Sequence, residues 1–451
     1  MRAVLVVLLV VLAAGCVAQP DVAPAATTDA PTPRLLPTKL VAPKLLALAE
    51  LGPGFGEPEI AAAPDGTLYV AAVNDIYRSD DAGATWVEAK LDLDGGGDGD
   101  IAVGPDGRVH WLGLFAKDAP IPYYASDDKG DSWTKPVDLS NKTGSDREWI
   151  DARQDSPWVY TAWRDSDDDG IVAFRSSADG GATWNDRVAI SEDAIAGPLV
   201  HGPANGSVYQ AQATFSSGPT SMDAGIRLAR SHDHGATWDV VPIVTPPQSV
   251  QFGIVGLPFS IFPVIAADDA GTLYVAYAVD QEMLPSPIPL PKSVARFGVF
   301  LQTSEDDGET WTQPRLLSSP DHAAIMPFVV AGAKGRIAIA WYENTYGLPN
   351  DNLPDSWNTI LYESIDADTE APQEQWAQLN EAPTHLGSIC TNGAGCFLTG
   401  GDRSLLDFLE IAIAPSGQPV VTFASTDRPH QGTFSEIHVM ARGVEEGTPL
   451  R

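Results

Sequence analysis

The sequence predicts an all-β fold, a β-propeller of four-stranded antiparallel blades, seven in number with six as the alternative. Three observations lead there: an octapeptide that recurs five times, a strand–turn–strand module that recurs seven times, and 41 glycines with 37 prolines. Turn residues at that density favour many short strands over long helices. With 44% hydrophobic residues and 12 tryptophans the chain of 451 residues has ample material for a packed core.

The first 15 residues read as an export signal. Arg2 supplies a positive start, and residues 3–14 form an unbroken apolar run, too short to span a bilayer. The run ends in Leu12-Ala13-Ala14-Gly15-Cys16, which resembles the bacterial lipoprotein signal, in which the cysteine is lipidated and becomes the new N-terminus. An ordinary cleaved secretory peptide is the alternative. Both place the protein outside the cytoplasm, and the first adds a membrane anchor through Cys16 alone. Residues 16–43 carry six prolines and no hydrophobic period, and they read as an extended tether.

The octapeptide is SDDAGATW from Ser79, SDDKGDSW from Ser126, SADGGATW from Ser177, SHDHGATW from Ser231 and SEDDGETW from Ser304. A damaged sixth copy begins at Ser364 and Asp366, with Asp368 in the glycine place and the nearest tryptophan displaced to Trp376. Each position has a physical task. Glycine supplies φ > 0 in a tight loop. The aspartate (Asp81, Asp128, Asp179, Asp233, Asp306) accepts bonds from loop amides with help from the serine. The tryptophan opens the next strand and packs its ring between sheets.

The second module, IAAAPDGTLYVAA from Ile60, reads as strand, Pro-Asp-Gly turn, strand. Six more follow, from Ile101, Trp149, Leu199, Val264, Val329 and Ile411. Four strands repeating at this spacing are the pattern of a propeller. Residues 44–451 then form the propeller domain. The seventh unit has only three strands, so residues 44–51 (KLLALAEL) are expected to supply the fourth and close the ring. Cys390 and Cys396 lie in one loop, where a local disulfide is favoured over a two-cysteine metal site.

The octapeptide resembles the Asp box, or bacterial neuraminidase repeat, of sialidases and related propellers, over nearly all of the chain beyond the tether. The resemblance implies the fold more strongly than any activity. Sialidases hold a substrate carboxylate with an arginine triad and use a tyrosine nucleophile, a glutamate partner and an aspartate acid. The first arginine of that family lies in a Phe/Tyr-Arg-Ile-Pro motif, and Phe55-Gly56-Glu57-Pro58 stands there in this chain. Glycine replaces the arginine, and the adjacent glutamate would repel a carboxylated sugar.

Candidate site residues fall in the connections opposite the octapeptides. Arg147, Arg164, Arg403, Arg428 and His430 are the candidate ligand-binding residues; Arg147, Arg403 and Arg428 could converge on an anion. Tyr342 with Glu343 would be the nucleophile pair, and Asp146 or Asp165 the acid. The bland alternative is that each arginine pairs with a neighbouring carboxylate and fixes a loop. Asp165, Asp167 and Asp169, at alternate positions before Gly170, are a candidate Ca²⁺ loop, although the twelfth place of an EF-hand would be Ser176 and not glutamate; the stretch Asp92 to Asp100, with four aspartates and four glycines, is a weaker candidate whose alternative is a flexible turn.

Sixty acidic against 27 basic residues, a formal charge of −33, exclude nucleic acid and an anionic membrane surface as partners. The functional expectation is a monomeric, exported, lipid-anchored propeller that binds a glycan or an extracellular protein through its loop-rich face. A sialidase-like glycoside hydrolase is the second expectation.

Overall fold

The computed structural model describes residues 36–53, 56–72, 75–90, 98–114, 121–134, 137–140, 144–165, 170–192, 194–214, 225–244, 262–280, 297–344, 356–387, 389, 402–426 and 437–451. Every regular element among them is a β-strand, and the strands form seven antiparallel sheets. Seven blades, not six, make the ring.

Blade one is built from Glu59–Ala62, Leu68–Ala72, Asp75–Ser79 and Val87–Lys90, paired in sequence order. Blades two to six repeat that plan, and blade six adds Ser356–Ser364 pairing with His385–Leu386. The first strands of successive blades lie beside one another and surround the axis. Large side chains fill the gaps between blades as separate clusters: Tyr69 and Trp111 between blades one and two, Tyr160 and Phe174 between three and four. Each blade thus buries its two faces against its neighbours.

The five octapeptides fold identically. In the first, Gly83 N donates to Ser79 Oγ (2.8 Å), Ser79 Oγ donates to Asp81 Oδ1 (2.8 Å), and Asp81 accepts from Thr85 N (2.7 Å) and Thr85 Oγ1 (2.6 Å). The other four copies repeat the pattern around Asp128, Asp179, Asp233 and Asp306. Each bond joins groups at most four residues apart, so the turn is encoded locally. These bonds favour the charged form and lower all five aspartate pKa values, that of Asp306 to about 2. The glycine has a second role. At Gly235 a Cβ would come within 1.9 Å of Phe174 in the preceding blade, so absence of a side chain lets the turn seat against its neighbour. Trp238 sits edge-on to the same ring at 5.0 Å.

The seventh blade contributes Glu410–Ile413, Pro419–Ser425 and His438–Glu446. Lys44–Leu45 and Ala49–Pro53 pair antiparallel with His438–Glu446 and complete it, as the missing strand required. The contact starts earlier than residue 44. Val41 N donates to Thr448 Oγ1 (2.7 Å), and the Pro37 and Thr38 carbonyls accept from Arg336 and Gln373, so residues 37–43, assigned to the tether by composition, run along the ring.

Candidate functional site

The inner strands enclose a cavity of about 570 Å³, lined among others by Asp100, Asp151, His201, Phe328, Glu410 and Arg451. Its rim toward the Pro-Asp-Gly turns is polar: His201 pairs with Asp151 (2.8 Å) and Arg153 with Asp155 (2.6 Å).

Toward the opposite, loop-rich face, the inner strands start in a set of unusual backbones. Among the described residues eight non-glycines have positive φ. Four, Ala82, Lys129, His234 and Asp307, precede the octapeptide glycine. The other four, Glu57 (66°), Arg147 (54°), Met326 (55°) and Leu406 (51°), sit at or just before inner strands. Arg147 and Met326 occupy bulges in the inner strands of blades three and six. Left-handed non-glycine residues cost energy and persist where surrounding contacts hold them.

At Arg147 those contacts are explicit. Its guanidinium gives Nη2 to Glu57 Oε1 (2.6 Å) and Asp407 Oδ2 (2.6 Å), and Nη1 lies 3.2 Å from Asp98 Oδ2. Arg403 shares Asp407 at 2.9 Å. Phe262 and Phe408 lie against the Arg147 guanidinium at 4.8 and 5.3 Å, and Trp149 packs on both rings. Burial opposes the Arg147 charge, but Asp98, Glu57 and Asp407 outweigh it and hold the pKa well above the usual arginine value. Glu148, next in sequence, is buried; desolvation pushes its pKa far up, and neither oxygen has a hydrogen-bond partner. The result is a rigid polar cluster in which carboxylates outnumber arginines.

The sequence-predicted residues distribute as follows. Arg147 and Arg403 do come together, but on the protein's own Asp407. Arg428 and His430 lie outside the described residues, as do Cys390, Cys396 and Cys16. Asp146 is exposed beside Arg147, yet protein packed around its carboxyl raises the pKa from the ordinary value. Arg164 is half-buried and passes over Gly170, where a Cβ would come within 2.8 Å of its Nη2.

Tyr342 is fully buried, and its hydroxyl oxygen accepts from Ala424 N (2.9 Å). Glu343 faces the other way, accepting from Trp341 Nε1 (2.7 Å) and meeting His322 Nδ1 (2.8 Å). Neighbours on one strand point to opposite faces, which keeps the two groups apart. Asp165 is fully buried, 2.5 Å from Arg187 Nη2, and accepts from Ser145 Oγ and Trp163 Nε1. Asp167 and Asp169 lie outside the described residues. Asp407, Phe262 and Phe408 escaped the sequence reading, and only their places just before inner strands marked them, whereas Asp98 belongs to the acidic stretch Asp92 to Asp100, the weaker calcium candidate.

A second group of acids was only partly foreseen, through Asp100 at the end of that acidic stretch. Glu59 and Glu410 open the inner strands of blades one and seven, Asp100 is second in that of blade two, and one oxygen from each lies within 4.8 Å of the others. Burial raises all three carboxyl pKa values, that of Asp100 to about 6.

No protein-family model and no curated protein matches the sequence. Solved structures do resemble the fold. A polysaccharide lyase of family PL25, an ulvan lyase bound to -[GlcA(1-4)Rha3S]-, superposes with a TM-score of 0.53 at 11% identity, covering 88% of this chain and 95% of the lyase. The GH93 α-L-arabinofuranosidase of Fusarium graminearum, in complex with arabinobiose, gives 0.45 at 12% identity over 89% and 98% of the two chains. YCF48 bound to D1 peptide gives 0.47 at 14% identity over 90% and 98%. At these identities the likeness is one of architecture, and what it establishes with the sheet topology is that the chain is a seven-bladed β-propeller.

Proposed function

We propose that this chain is an exported propeller, anchored through a lipid on Cys16 and distantly akin to the Asp-box proteins, that recognises a glycan or protein ligand on its loop-rich face. The observation that carries this reading is the Arg147 cluster: buried charges, three aromatic rings and left-handed backbone at Glu57, Arg147 and Leu406, gathered where inner strands start. Strain and desolvated charge concentrated in one place are features of preorganised binding sites.

The chemistry favours a neutral, hydroxyl-rich ligand. Arg147 is bound to Glu57, Asp98 and Asp407, so it offers no clamp for an acidic sugar, and the chain's charge of −33 repels one. Fixed carboxylates such as Asp98 and Glu343 accept hydrogen bonds from sugar hydroxyls. Titrating the chain against neutral and sialylated glycans tests this. Binding of a neutral glycan that weakens in Asp98→Asn supports it; binding confined to sialylated glycans refutes it. Labelled fatty acid incorporated by the wild type but not by Cys16→Ala tests the anchor.

The hydrolase reading has one observation in its favour: Asp146 and Glu148 have raised pKa values, as a general acid needs. It does not extend to a tyrosine nucleophile, because Tyr342 is buried and bonded to Ala424 N. Turnover of a neutral aryl glycoside, abolished in Asp146→Asn and retained in Tyr342→Phe, would establish it.

A further inference from the structure

We propose that Glu59, Asp100 and Glu410 bind one calcium ion at the junction of blades seven, one and two. Their nearest carboxylate oxygens lie within 4.8 Å of one another. That spacing falls within a calcium shell, in which two ligands at about 2.4 Å are at most ~4.8 Å apart, and a small inward shift of the side chains brings all three onto one ion. The donors are all oxygen, with neither histidine nor cysteine, which selects a hard cation over zinc or copper.

The acids are held for this task. Asp100 accepts from Ile101 N (2.6 Å) through one oxygen and from Ile150 N (2.6 Å) through the other. Glu410 Oε2 accepts from Ile60 N (2.5 Å). These bonds fix the carboxylates while leaving lone pairs for a metal.

A second observation points to a ligand. Glu59 is 2% exposed; its carboxyl lies at hydrogen-bond range of Asp100, and no donor reaches its Oε2. Glu148, 3% exposed with both oxygens unpartnered, lies close enough for its charge to act on Glu59. Buried acceptors without partners are costly, and a divalent cation would satisfy Glu59 directly and stabilise the negative charge of Glu148. Asp100 and Glu410 also border the central cavity, which gives the ion a way in and room for the water ligands that complete its shell.

The sequence supports the grouping. Each acid immediately precedes the isoleucine that opens a strand–turn–strand module: Glu59-Ile60, Asp100-Ile101 and Glu410-Ile411. A propeller places equivalent repeat positions around one axis, so three adjacent copies bring three acids together. In blade three the same place holds Trp149. The ion would join the last blade to the first two, where the ring closes.

The test is calorimetry on the full chain, stripped with EDTA and then given calcium chloride or magnesium chloride. Calcium is expected to raise the melting temperature by several degrees, and Glu59→Gln and Asp100→Asn each to remove most of that shift. Both substitutions remove like-charge repulsion, so the calcium-free variants should melt no lower than the calcium-free wild type. Isothermal titration should count one calcium fewer per chain in Glu59→Gln. No calcium-induced shift in the wild type, or a full shift in both variants, overturns the proposal. An equal shift with magnesium overturns the choice of calcium. These readouts are independent of glycan binding, so either reading can fail alone.

Discussion

Replacing Gly235 with alanine separates two reasons for a glycine at the octapeptide turn. Gly235 has φ +82°, and an added Cβ would stand 1.9 Å from Phe174 Cε1 and 2.3 Å from Cζ. Phe174 is 1% exposed and lies against Tyr160 and Trp238, so its ring has nowhere to go. The left-handed backbone costs alanine about 1–2 kcal/mol. Overpacking a filled contact adds about 1–3 kcal/mol. Reduced freedom of the unfolded chain returns about 0.4–1 kcal/mol. The net loss is therefore about 2–4 kcal/mol. Gly66 is the control: φ is +96°, and a Cβ there meets nothing within 4 Å. Gly66→Ala carries only the backbone cost, about 0.5–1 kcal/mol net. Urea unfolding followed by tryptophan fluorescence gives both values from midpoint and slope. Equal losses in the two variants would refute the claim that the glycine serves close approach of one blade to the next.

Arg147→Met leaves Glu57 and Asp98 without their cation and Asp407 with Arg403 alone, and a loss of about 3–5 kcal/mol in urea unfolding is expected, with Arg147→Lys intermediate. Tyr342→Phe strands Ala424 N and should cost about 1–3 kcal/mol while leaving glycan affinity unchanged by titration calorimetry. His110 is buried, and burial lowers its pKa to about 3, below that of the unfolded chain. The neutral form is favoured in the fold, so its contribution is complete above pH ~6.5 and is lost as pH falls from there toward 3. His110→Phe should flatten that limb of a stability–pH curve, and an unchanged slope would show that His110 is not its source.

How far the sequence could be read depends on the range of each interaction. The octapeptide bonds run from Ser79 to Thr85, inside one window, and repetition made them conspicuous. The N-terminal closing strand was legible from need, because a three-stranded last blade leaves an open edge. Arg147 was singled out, but its partners Glu57 and Asp407 are 90 and 260 residues away, and no local pattern links them. The pairing of Tyr342 with Glu343 came from adjacency, and the alternation of a strand was enough to exclude it. Glu59 and Glu410 stood one place before the module as it was delimited, at Ile60 and Ile411, where an acid looks like a solvated strand start, and Asp100 stood out only with the acidic stretch that precedes Ile101. Only the curvature of the ring makes them neighbours.

The join between residues 44–53 and His438–Glu446 bears on how the protein comes into being. Lys44 pairs with Glu446, and Val41 with Thr448 across 407 positions. For a structureless chain, loop-closure entropy over that separation is about 5 kcal/mol, and contacts so distant in sequence form slowly. Six blades folding in turn remove most of that cost by carrying the two ends toward each other. Until the last strand emerges, Ala49–Pro53 has no partner. The first residues of the ring to be synthesised therefore wait for nearly the last, and the circle is completed only when they meet.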